Sequence, residues 1–375
     1  MKILLTGGGT GGHFYPLIAI AEKLVEVADK QKIVDIKIYY MADKPYDKRM
    51  LFENKITFVQ IPSGKMRTYF SIQNFFDIFK TATGAFFGLL SMFFIYPDIV
   101  ISKGGYAAFP AVFAAKLLRI PVIVHESDSY PGRLNIWTAK FAKEIAISWP
   151  EAAEYLPQEK TALTGQPIRK EILHGDKNGA HEFFKLSPNI PTILVLGGSQ
   201  GAEIINNIII DTIPELLNRY QIIHQTGVNN INDVLARSKL TMENNPNIEK
   251  YVPMPYLNNL STRMAAGCAD LVISRAGSAI FEIASWGTPS IIIPITNSNG
   301  NHQRKNAFNY ARNGACEVVE ESNLTSHLFI SEIDKLLSSP QKLSSMKENA
   351  LAFAIPTAAE KIAQSAINIA LTHYE

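Results

Sequence analysis

Short apolar runs alternate with longer amphipathic segments along the whole chain. The runs occupy residues 36–41, 57–61, 98–102, 121–125 and 144–148, then 221–225, 248–252, 270–274, 290–294 and 316–319. Two further runs, 3–5 and 193–196, each lead into a glycine loop and a helical pattern, 17–27 and 202–217. Continuous Val, Ile and Leu runs between helices are typical of parallel sheets covered on both faces. The repeated strand–loop–helix opening predicts two doubly wound α/β domains.

One stretch departs from this alternation because it is apolar on all sides. Residues 85–96 number about a dozen, short of the ~20 that a membrane-spanning helix needs. Upstream, aromatic residues are interleaved with charges: Lys65, Arg67, Tyr69, Phe70, Phe75, Phe76, Asp77, Phe79 and Lys80. Aromatic residues beside Lys and Arg suit a helix lying in a membrane interface. We expect interface or acceptor contact for 65–80 and core packing for 85–96.

Composition and charge narrow the class of protein. At ~100–200 residues per domain, the 375 residues make about two domains. The formal net charge of +2 argues against a dedicated nucleic-acid binder. Cys268 and Cys316 are the only cysteines, which excludes a disulfide framework and a Cys-based zinc site. The N-terminal apolar run is too short for a signal peptide, so we expect a protein that stays in the cytoplasm.

The first glycine loop, residues 7–12 (GGGTGG), fits the G-x-G-x-x-G pattern, in which glycines bring backbone N–H groups close to a diphosphate. A dinucleotide site would also want an acid after the second strand, and Asp43 lies there. The loop continues into His13, whose imidazole suits proton transfer better than cofactor binding. We expect His13 to be functional, with a structural cap as the alternative.

Two more loops follow strands of the first half. Residues 102–106 (SKGGY) follow one strand, and His125, Glu126 and Asp128 follow the next. Open α/β sheets bind ligands at the carboxyl ends of their strands. The SKGGY segment is therefore either a ligand loop or an ordinary turn. The His–Glu pair is either a site or a buried hydrogen-bonded pair.

The second half repeats this arrangement in two loops that precede helices, residues 197–201 (GGSQG) and 274–278 (SRAGS), and in residues 301–306 (NHQRKN), which begin a third helix. Glu282, on the second of these helices, is placed to accept hydrogen bonds from ribose hydroxyls, with a solvated helix face as the alternative. His302, Gln303 and Asn306 lie at the start of the third helix and are expected to point at the site, since residues three apart share a helix face. Arg169 lies in the predicted linker, residues 164–174.

Seven motifs occur in one order: GGGTGGHFYP, SKGGYAAFP, HESDSYPG, TGQPIR, GGSQGAEIIN, SRAGSAIFEIASWGTPSIIIP and NHQRKNA. Together they closely resemble the MurG-type N-acetylglucosaminyltransferases of glycosyltransferase family 28, from Lys2 to about Thr372. The resemblance implies a GT-B fold, with two Rossmann-like doubly wound parallel-sheet domains facing across a cleft. It implies an acceptor and membrane-docking domain at 1–164, joined by the C-terminal helix 356–375, and a UDP-sugar-binding domain at 165–355.

The resemblance also implies a reaction. N-acetylglucosamine passes from UDP-N-acetylglucosamine to the muramyl 4-hydroxyl of undecaprenyl-pyrophosphoryl-muramyl-pentapeptide (lipid I), with inversion, and gives lipid II for peptidoglycan synthesis. Such an enzyme is peripheral and works on the anionic cytoplasmic face of the bacterial cell membrane. No cofactor and no metal are expected, since no Asp-x-Asp pair occurs in the chain. Protein partners are not indicated.

The resemblance carries over to individual residues. Those matching the family's UDP-sugar contacts are Thr10, Gly11, Gly12, Asp128, Arg169, Ser199, Leu257, Ser278, Ala279, Glu282 and Gln303. The acceptor and diphosphate loops match at Gly9, Gly104, Gly105 and Tyr106. His13 and Asp128 are the catalytic candidates, and Lys65, Arg67, Phe75, Phe76 and Phe79 form the expected membrane face. The family usually has Asn at Asp128, and a carboxylate cannot donate the hydrogen bond that an amide donates.

Other interpretations remain open at this point. A nucleotide-sugar epimerase or another GT-B lipid glycosyltransferase would share the two-domain pattern, but an epimerase leaves the aromatic and basic stretch 65–80 unexplained. An NAD-dependent oxidoreductase is supported by the first glycine loop alone. A non-catalytic membrane-recruiting subunit would need only one of the domains.

Overall fold

The computed structural model describes residues 1–65, 72–198, 201–296 and 301–372. The chain divides into two compact units. Unit 1 comprises Met1–Arg169 together with Ile355–Glu375, and unit 2 comprises Lys170–Ala354.

Unit 1 alternates strands and helices. Its elements, up to the end of its first segment, are β1 (Lys2–Thr6), α1 (Gly11–Lys30), β2 (Lys37–Ala42), α2 (Lys48–Glu53), β3 (Thr57–Gln60), α3 (Ile72–Ile95), β4 (Ile99–Ser102), α4 (Phe109–Leu117), β5 (Val122–Glu126), α5 (Arg133–Ala139), β6 (Glu144–Ile147) and β7 (Thr161–Leu163).

Unit 2 repeats the alternation. Its elements are α6 (Ala180–Phe184), β8 (Thr192–Leu196), α7 (Glu203–Leu216), β9 (Gln221–Gln225), α8 (Ile231–Thr241), β10 (Tyr251–Met254), α9 (Asn259–Cys268), β11 (Leu271–Ser274), α10 (Ala279–Trp286), β12 (Ser290–Ile292), α11 (His302–Arg312), β13 (Cys316–Val318), α12 (Ser326–Leu337) and α13 (Pro340–Phe353). The last helix, α14 (Ala358–Thr372), belongs to unit 1.

Each unit holds one parallel sheet. In the part of the chain that the structure describes, the strand order is β3-β2-β1-β4-β5-β6-β7 in unit 1 and β10-β9-β8-β11-β12-β13 in unit 2. The order reverses beside β1 in the first sheet and beside β8 in the second, which are the points where doubly wound sheets bind ligands. The prediction of two doubly wound α/β domains is confirmed.

The first sheet is covered on both faces, which explains its continuous apolar strands. Ile3 and Leu5 of β1 lie in one core cluster with Leu17 of α1 and Ile367 of α14. Leu4 points to the other face and packs in a second cluster with residues of α4. Because successive strand residues alternate between faces, a strand buried on both sides is apolar at every position. The same pattern marks β8 and β11 in unit 2.

Two strand predictions need correction. The short strand β7 was not predicted, because it has three residues, of which Ala162 and Leu163 are exposed. The run predicted at 248–252 lies partly in a turn, and β10 is Tyr251–Met254. Both strands lie at or next to a sheet edge, where burial and therefore the apolar signal are weaker.

The expectation of core packing for residues 85–96 is wrong. All but the last of these residues belong to the single 24-residue helix α3, whose outer face is apolar and exposed. Its large exposed side chains are Phe75, Phe76, Ile78, Phe79, Phe86, Phe87, Leu90, Phe93 and Phe94. Within the described ranges, α3 is the one helix long and apolar enough to cross a membrane, and 17% of its apolar window is buried. The charges at Asp77 and Lys80 concealed this continuity in the sequence.

Small residues hold α3 against the rest of unit 1. A Cβ atom on Gly84 would overlap the carbonyl oxygen of Pro62, and one on Gly88 would lie 3.2 Å from the Cβ of Pro110 in α4. Met92, one turn further along, is fully buried. The helix therefore packs through a narrow stripe of small residues and leaves its bulky side chains outside.

Candidate active site

Two glycine loops of unit 1 lie against each other where the strand order reverses. The first loop (residues 7–12) follows β1 and the second loop (residues 103–106) follows β4. A Cβ atom on Gly8 would lie 2.5 Å from the Cβ of Ala107, so a larger residue does not fit there. Gly105 has φ +78°, a conformation that favours glycine. The structure thus brings together two of the loops that the sequence singled out.

His13 lies in the first turn of α1, between these two loops. Its Nδ1 atom is 3.0 Å from Thr10 Oγ1, and a Cβ atom on Gly105 would lie 3.6 Å from its Nε2. Burial and the positive charge of Lys103 lower the pKa of His13 to about 4, against the opposing effect of Asp128. The imidazole is therefore neutral at neutral pH and has a lone pair with which to accept a proton.

The loop that carries Asp128 is held by a buried carboxylate. Glu126, at the end of β5, accepts hydrogen bonds from the backbone N–H groups of Asp128 and Gly132, both at 2.9 Å, and from Asn135 Nδ2 at 2.8 Å. Burial, followed by the charge of Asp128, raises the pKa of Glu126. These bonds fix the backbone position of Asp128, which is partly exposed.

The sequence left open whether the His–Glu pair is a site or a buried pair. His125 is fully buried, its Nε2 lies 3.0 Å from the carbonyl oxygen of Gly165, and burial holds its pKa well below the ordinary value. Both His125 and Glu126 therefore act inside unit 1, and they support the loop rather than reach a ligand.

Tyr106 and Arg169 make aromatic and charged contacts in unit 1. The Tyr106 hydroxyl donates to Asp43 Oδ2 at 3.4 Å, and the Lys65 ammonium lies 5.5 Å from the Tyr106 ring centroid. Arg169 is buried, with its guanidinium 4.0 Å from the ring centroid of Tyr15. The Asp43 carboxylate, which a dinucleotide site would use, is thus next to a tyrosine hydroxyl.

Unit 2 has its own glycine loops, after β8 and β11. Among the described residues, no atom lies within 4 Å of the place where a Cβ would stand on Gly198, with φ +78°, or on Gly277. Gly201, in contrast, is closed in by the backbone of Thr226. Open glycines beside the N-termini of α7 and α10 give a phosphate room to approach the backbone N–H groups.

Three of the predicted donor contacts of unit 2 lie at the start of α10. Ser278 is its N-cap, Ala279 is its first residue and Glu282 lies in its first turn, all three partly exposed. Leu257 is 4% exposed and lies between β10 and α9.

The first turns of α11 in unit 2 are tied to their neighbours. Gln303 Oε1 accepts a hydrogen bond from the backbone N–H of Ile295 at 3.2 Å. Asn306 is buried and donates to the carbonyl oxygen of Ala276 at 3.2 Å, so it fixes the loop that precedes α10. The expectation that Asn306 points at the site is therefore wrong.

Some predicted residues lie outside the described ranges, namely Ser199 in unit 2 and Arg67 in unit 1. Among the residues that the structure does describe, no group of three or more His, Cys, Asp or Glu is arranged to hold a metal ion.

Comparison with protein families and solved structures identifies the family to which the chain belongs. Residues 3–147 match the glycosyltransferase family 28 N-terminal domain, and residues 192–364 match the C-terminal domain of that family. The UDP-N-acetylglucosamine--N-acetylmuramyl-(pentapeptide) pyrophosphoryl-undecaprenol N-acetylglucosamine transferase of Thermodesulfovibrio yellowstonii is 37% identical over 379 aligned positions, which cover 98% of each chain.

Two solved structures show the fold. MurG of Acinetobacter baumannii matches with a TM-score of 0.72 at 24% identity, over 98% of this chain and 99% of that one. The UDP-GlcNAc 2-epimerase of Neisseria meningitidis, solved bound to UDP-GlcNAc, matches with a TM-score of 0.69 at 18% identity, over 98% and 100%. The shared GT-B fold therefore does not by itself separate a transferase from an epimerase. The two family domains in order, and the full-length relative, do separate them, and they show that the chain belongs to glycosyltransferase family 28, among its MurG-type N-acetylglucosaminyltransferases.

Proposed function

We propose that this protein transfers N-acetylglucosamine from UDP-N-acetylglucosamine to the muramyl 4-hydroxyl of lipid I and so makes lipid II for peptidoglycan synthesis. The observation that carries the proposal is 37% identity over nearly the full length with a transferase whose name states this donor and acceptor. Family membership carries the argument because the fold alone is shared with epimerases.

Unit 2 is the proposed donor-binding unit. The open space at Gly277 and the N-terminus of α10 suit the diphosphate, which the helix dipole and free backbone N–H groups attract. Glu282, one turn into α10, is proposed to accept hydrogen bonds from the ribose hydroxyls. Ser199 and Gln303 are proposed to contact the rest of the nucleotide sugar. As UDP leaves, its charge is stabilised by these helix N-termini and by Arg169.

Unit 1 is the proposed acceptor unit, and its two touching glycine loops receive the acceptor's diphosphate. The 4-hydroxyl oxygen attacks the anomeric carbon, the bond from that carbon to the β-phosphate oxygen breaks, and its electron pair leaves with UDP. His13 takes the hydroxyl proton, since its imidazole is neutral at neutral pH. Asp128 is the second candidate for this role.

The exposed face of α3 is the proposed membrane-docking face, with Lys65 and Arg67 meeting anionic headgroups. A lipid-linked acceptor cannot leave the bilayer cheaply, because each CH₂ group exposed to water costs ~0.8 kcal/mol. The exposed Phe side chains of α3 form the kind of large apolar surface that marks an interaction site. We therefore place the enzyme on the cytoplasmic face of the bacterial membrane, as a peripheral protein.

Length alone would let α3 cross a bilayer, but its packing favours lying on the surface. Gly84, Gly88 and Met92 fasten three successive turns of α3 to unit 1. Crossing would require this contact to break or the polar surface of unit 1 to enter the bilayer. If α3 lies on the surface, its exposed aromatic side chains insert to a depth of ~5–10 Å. Its opposite face then keeps its contacts with unit 1.

One assay with radiolabelled UDP-N-acetylglucosamine separates the alternatives. The purified protein is incubated with donor and lipid acceptor, and the label is followed into the organic phase and the nucleotide-sugar pool. Transfer predicts label in the lipid only when acceptor is present. Conversion of the donor to a free epimer without acceptor, or NAD reduction without label transfer, would contradict the proposal.

A further inference from the structure

Glu321, in the turn that follows β13, is an acidic residue to which the reaction described above gives no role. Its side chain is 11% exposed, and that of its partner Arg275 is 14% exposed. Arg275 Nη1 lies 2.5 Å from Glu321 Oε1 and also donates to the carbonyl oxygen of Ile293 at 3.1 Å. Glu321 Oε2 accepts from the backbone N–H and from the hydroxyl of Thr296, both at 2.9 Å. Both oxygens of one largely buried carboxylate are thus engaged within unit 2.

These contacts join the ends of three neighbouring strands. The strands β11, β12 and β13 are adjacent in the second sheet. Arg275, Thr296 and Glu321 follow their carboxyl ends in that order. Doubly wound sheets bind their ligands at this edge. The Glu321 side chain therefore fixes the loop after β11 relative to the loop after β12.

Both of these loops carry proposed donor contacts. Arg275 lies two residues before Gly277, where the diphosphate is proposed to approach the N-terminus of α10. Thr296 directly follows the residue whose backbone N–H donates to Gln303 Oε1 at 3.2 Å. A displacement of the Glu321 carboxylate would therefore move the backbone that leads into α10 and the backbone that holds Gln303.

The two partners carry opposite charges that balance each other. Burial would raise the pKa of Glu321, but the hydrogen bonds from Thr296 and Arg275 hold that pKa below its ordinary value. The carboxylate is therefore ionised at neutral pH, and the guanidinium is always protonated. When one partner of a buried ion pair is neutralised, the other charge is left uncompensated, which is costly. Here the uncompensated charge would lie in the loop before α10.

The residue next to Glu321 provides a contrast. Glu320 Oε1 also lies 2.5 Å from a guanidinium nitrogen, that of Arg304, but these side chains are 29% and 57% exposed. Ion pairs in contact with solvent contribute little to stability or geometry. Glu320 is therefore a matched control: it has the same charge, the same ion-pair distance and the neighbouring position in the sequence.

We propose that Glu321 is a positioning residue for the donor: by holding Arg275 and Thr296, it sets the loops after β11 and β12 in the arrangement that receives the diphosphate of the nucleotide sugar. This role rests on the proposed function for the identity of the ligand. Glu321 itself does not touch that ligand, because its two oxygens are bound to Arg275 and Thr296.

The first test is calorimetric titration of the full chain with UDP. Glu321→Gln keeps the size of the side chain and one oxygen for Thr296, but removes the charge that faces Arg275, so UDP should bind about tenfold more weakly. Glu320→Gln should bind UDP within about twofold of wild type. In a chain that carries Arg275→Met, Glu321→Gln should change the affinity by less than about twofold, because two residues that act through one contact are not additive.

Steady-state kinetics distinguish positioning from a general loss of stability. In Glu321→Gln, the KM for UDP-N-acetylglucosamine should rise about tenfold. The KM for the lipid acceptor should stay within about twofold, because the proposed acceptor loops lie in unit 1. A merely structural role would lower the folded fraction, and therefore kcat, without changing either KM. Should Glu321→Gln fail to fold by circular dichroism, Thr296→Val, which removes one hydrogen bond to the carboxylate, should weaken UDP binding about threefold.

Two results would overturn the inference. One is a UDP affinity equal to that of wild type in Glu321→Gln, or in Thr296→Val where that variant replaces it. The other is a loss of affinity that is as large in the Arg275→Met chain as in wild type. If wild type binds UDP but transfers no sugar, the proposed function is overturned instead, and the titration still decides the role of Glu321.

Discussion

Replacing Phe75, Phe76 and Phe79 with Ser should detach the protein from membranes without unfolding it. These side chains are 60%, 67% and 60% exposed. With ~200 Å² per Phe side chain, they offer about 370 Å² together, worth ~9 kcal/mol if wholly buried at ~25 cal/mol per Å². Shallow insertion that buries about a third of this area gives ~3 kcal/mol, or a ~100-fold lower partition coefficient. The melting temperature should stay unchanged, because exposed side chains contribute little to folding.

Sedimentation with vesicles of phosphatidylcholine and anionic phosphatidylglycerol measures the effect. The matched control replaces Val34, Phe52 and Leu240, which are 87%, 85% and 73% exposed and lie outside α3, with Ser. The control should bind vesicles like wild type. The α3 variant should lose activity on a full-length lipid acceptor and keep it on a short-chain soluble acceptor. If both variants sediment like wild type, α3 is not the docking face and the reasoning from exposure is refuted.

Four further predictions concern the two units separately. Gly277→Ala should leave the melting temperature unchanged, since no atom of the described residues lies within 4 Å of the added methyl group. The same change should weaken UDP binding at least tenfold by calorimetry, and equal affinity would exclude the diphosphate from this place. Glu282→Gln should weaken UDP binding by ~1.5–3 kcal/mol, with Glu348→Gln on α13 as the neutral control. His13→Gln should lower kcat by ~10²–10⁴-fold while UDP affinity stays constant, and a near-normal kcat would exclude it as the base. Burial lowers the pKa of His224 to about 3, so below pH ~6.5 the unfolded chain binds a proton that the native state does not bind. The free energy of unfolding from thermal denaturation should therefore fall by ~2 kcal/mol between neutral pH and pH 5, and by less in His224→Gln.

The glycine loops and the strands before them could be predicted because each is determined by residues that are adjacent in the sequence. A fully apolar run followed by glycines indicates a buried strand that ends in a ligand loop, and β1 and β8 show this arrangement. What the sequence could not show is how loops distant along the chain meet. The contact of Gly8 with Ala107 depends on the strand order, which places β4 beside β1.

The incorrect expectations share a physical cause, since burial depends on packing partners that the sequence does not name. Residues 85–96 are expected in the core because apolar side chains are usually buried, whereas Gly84 and Gly88 make the actual contact. Asn306 shares a helix face with Gln303 and was expected to reach the ligand, but its amide holds the Ala276 carbonyl. In the sequence, Lys103 is one residue of the SKGGY loop. The three hydrogen-bond acceptors around its ammonium group come together only in the folded structure.

The central claim is tested most directly by the product made from purified protein, UDP-N-acetylglucosamine and a synthetic lipid I. Mass spectrometry and the proton coupling at the new anomeric centre identify that product. The account predicts a lipid heavier by one N-acetylhexosamine, joined by a β linkage to the muramyl 4-oxygen, with UDP released in equal amount. An unchanged lipid, or a linkage with retained configuration, would contradict it.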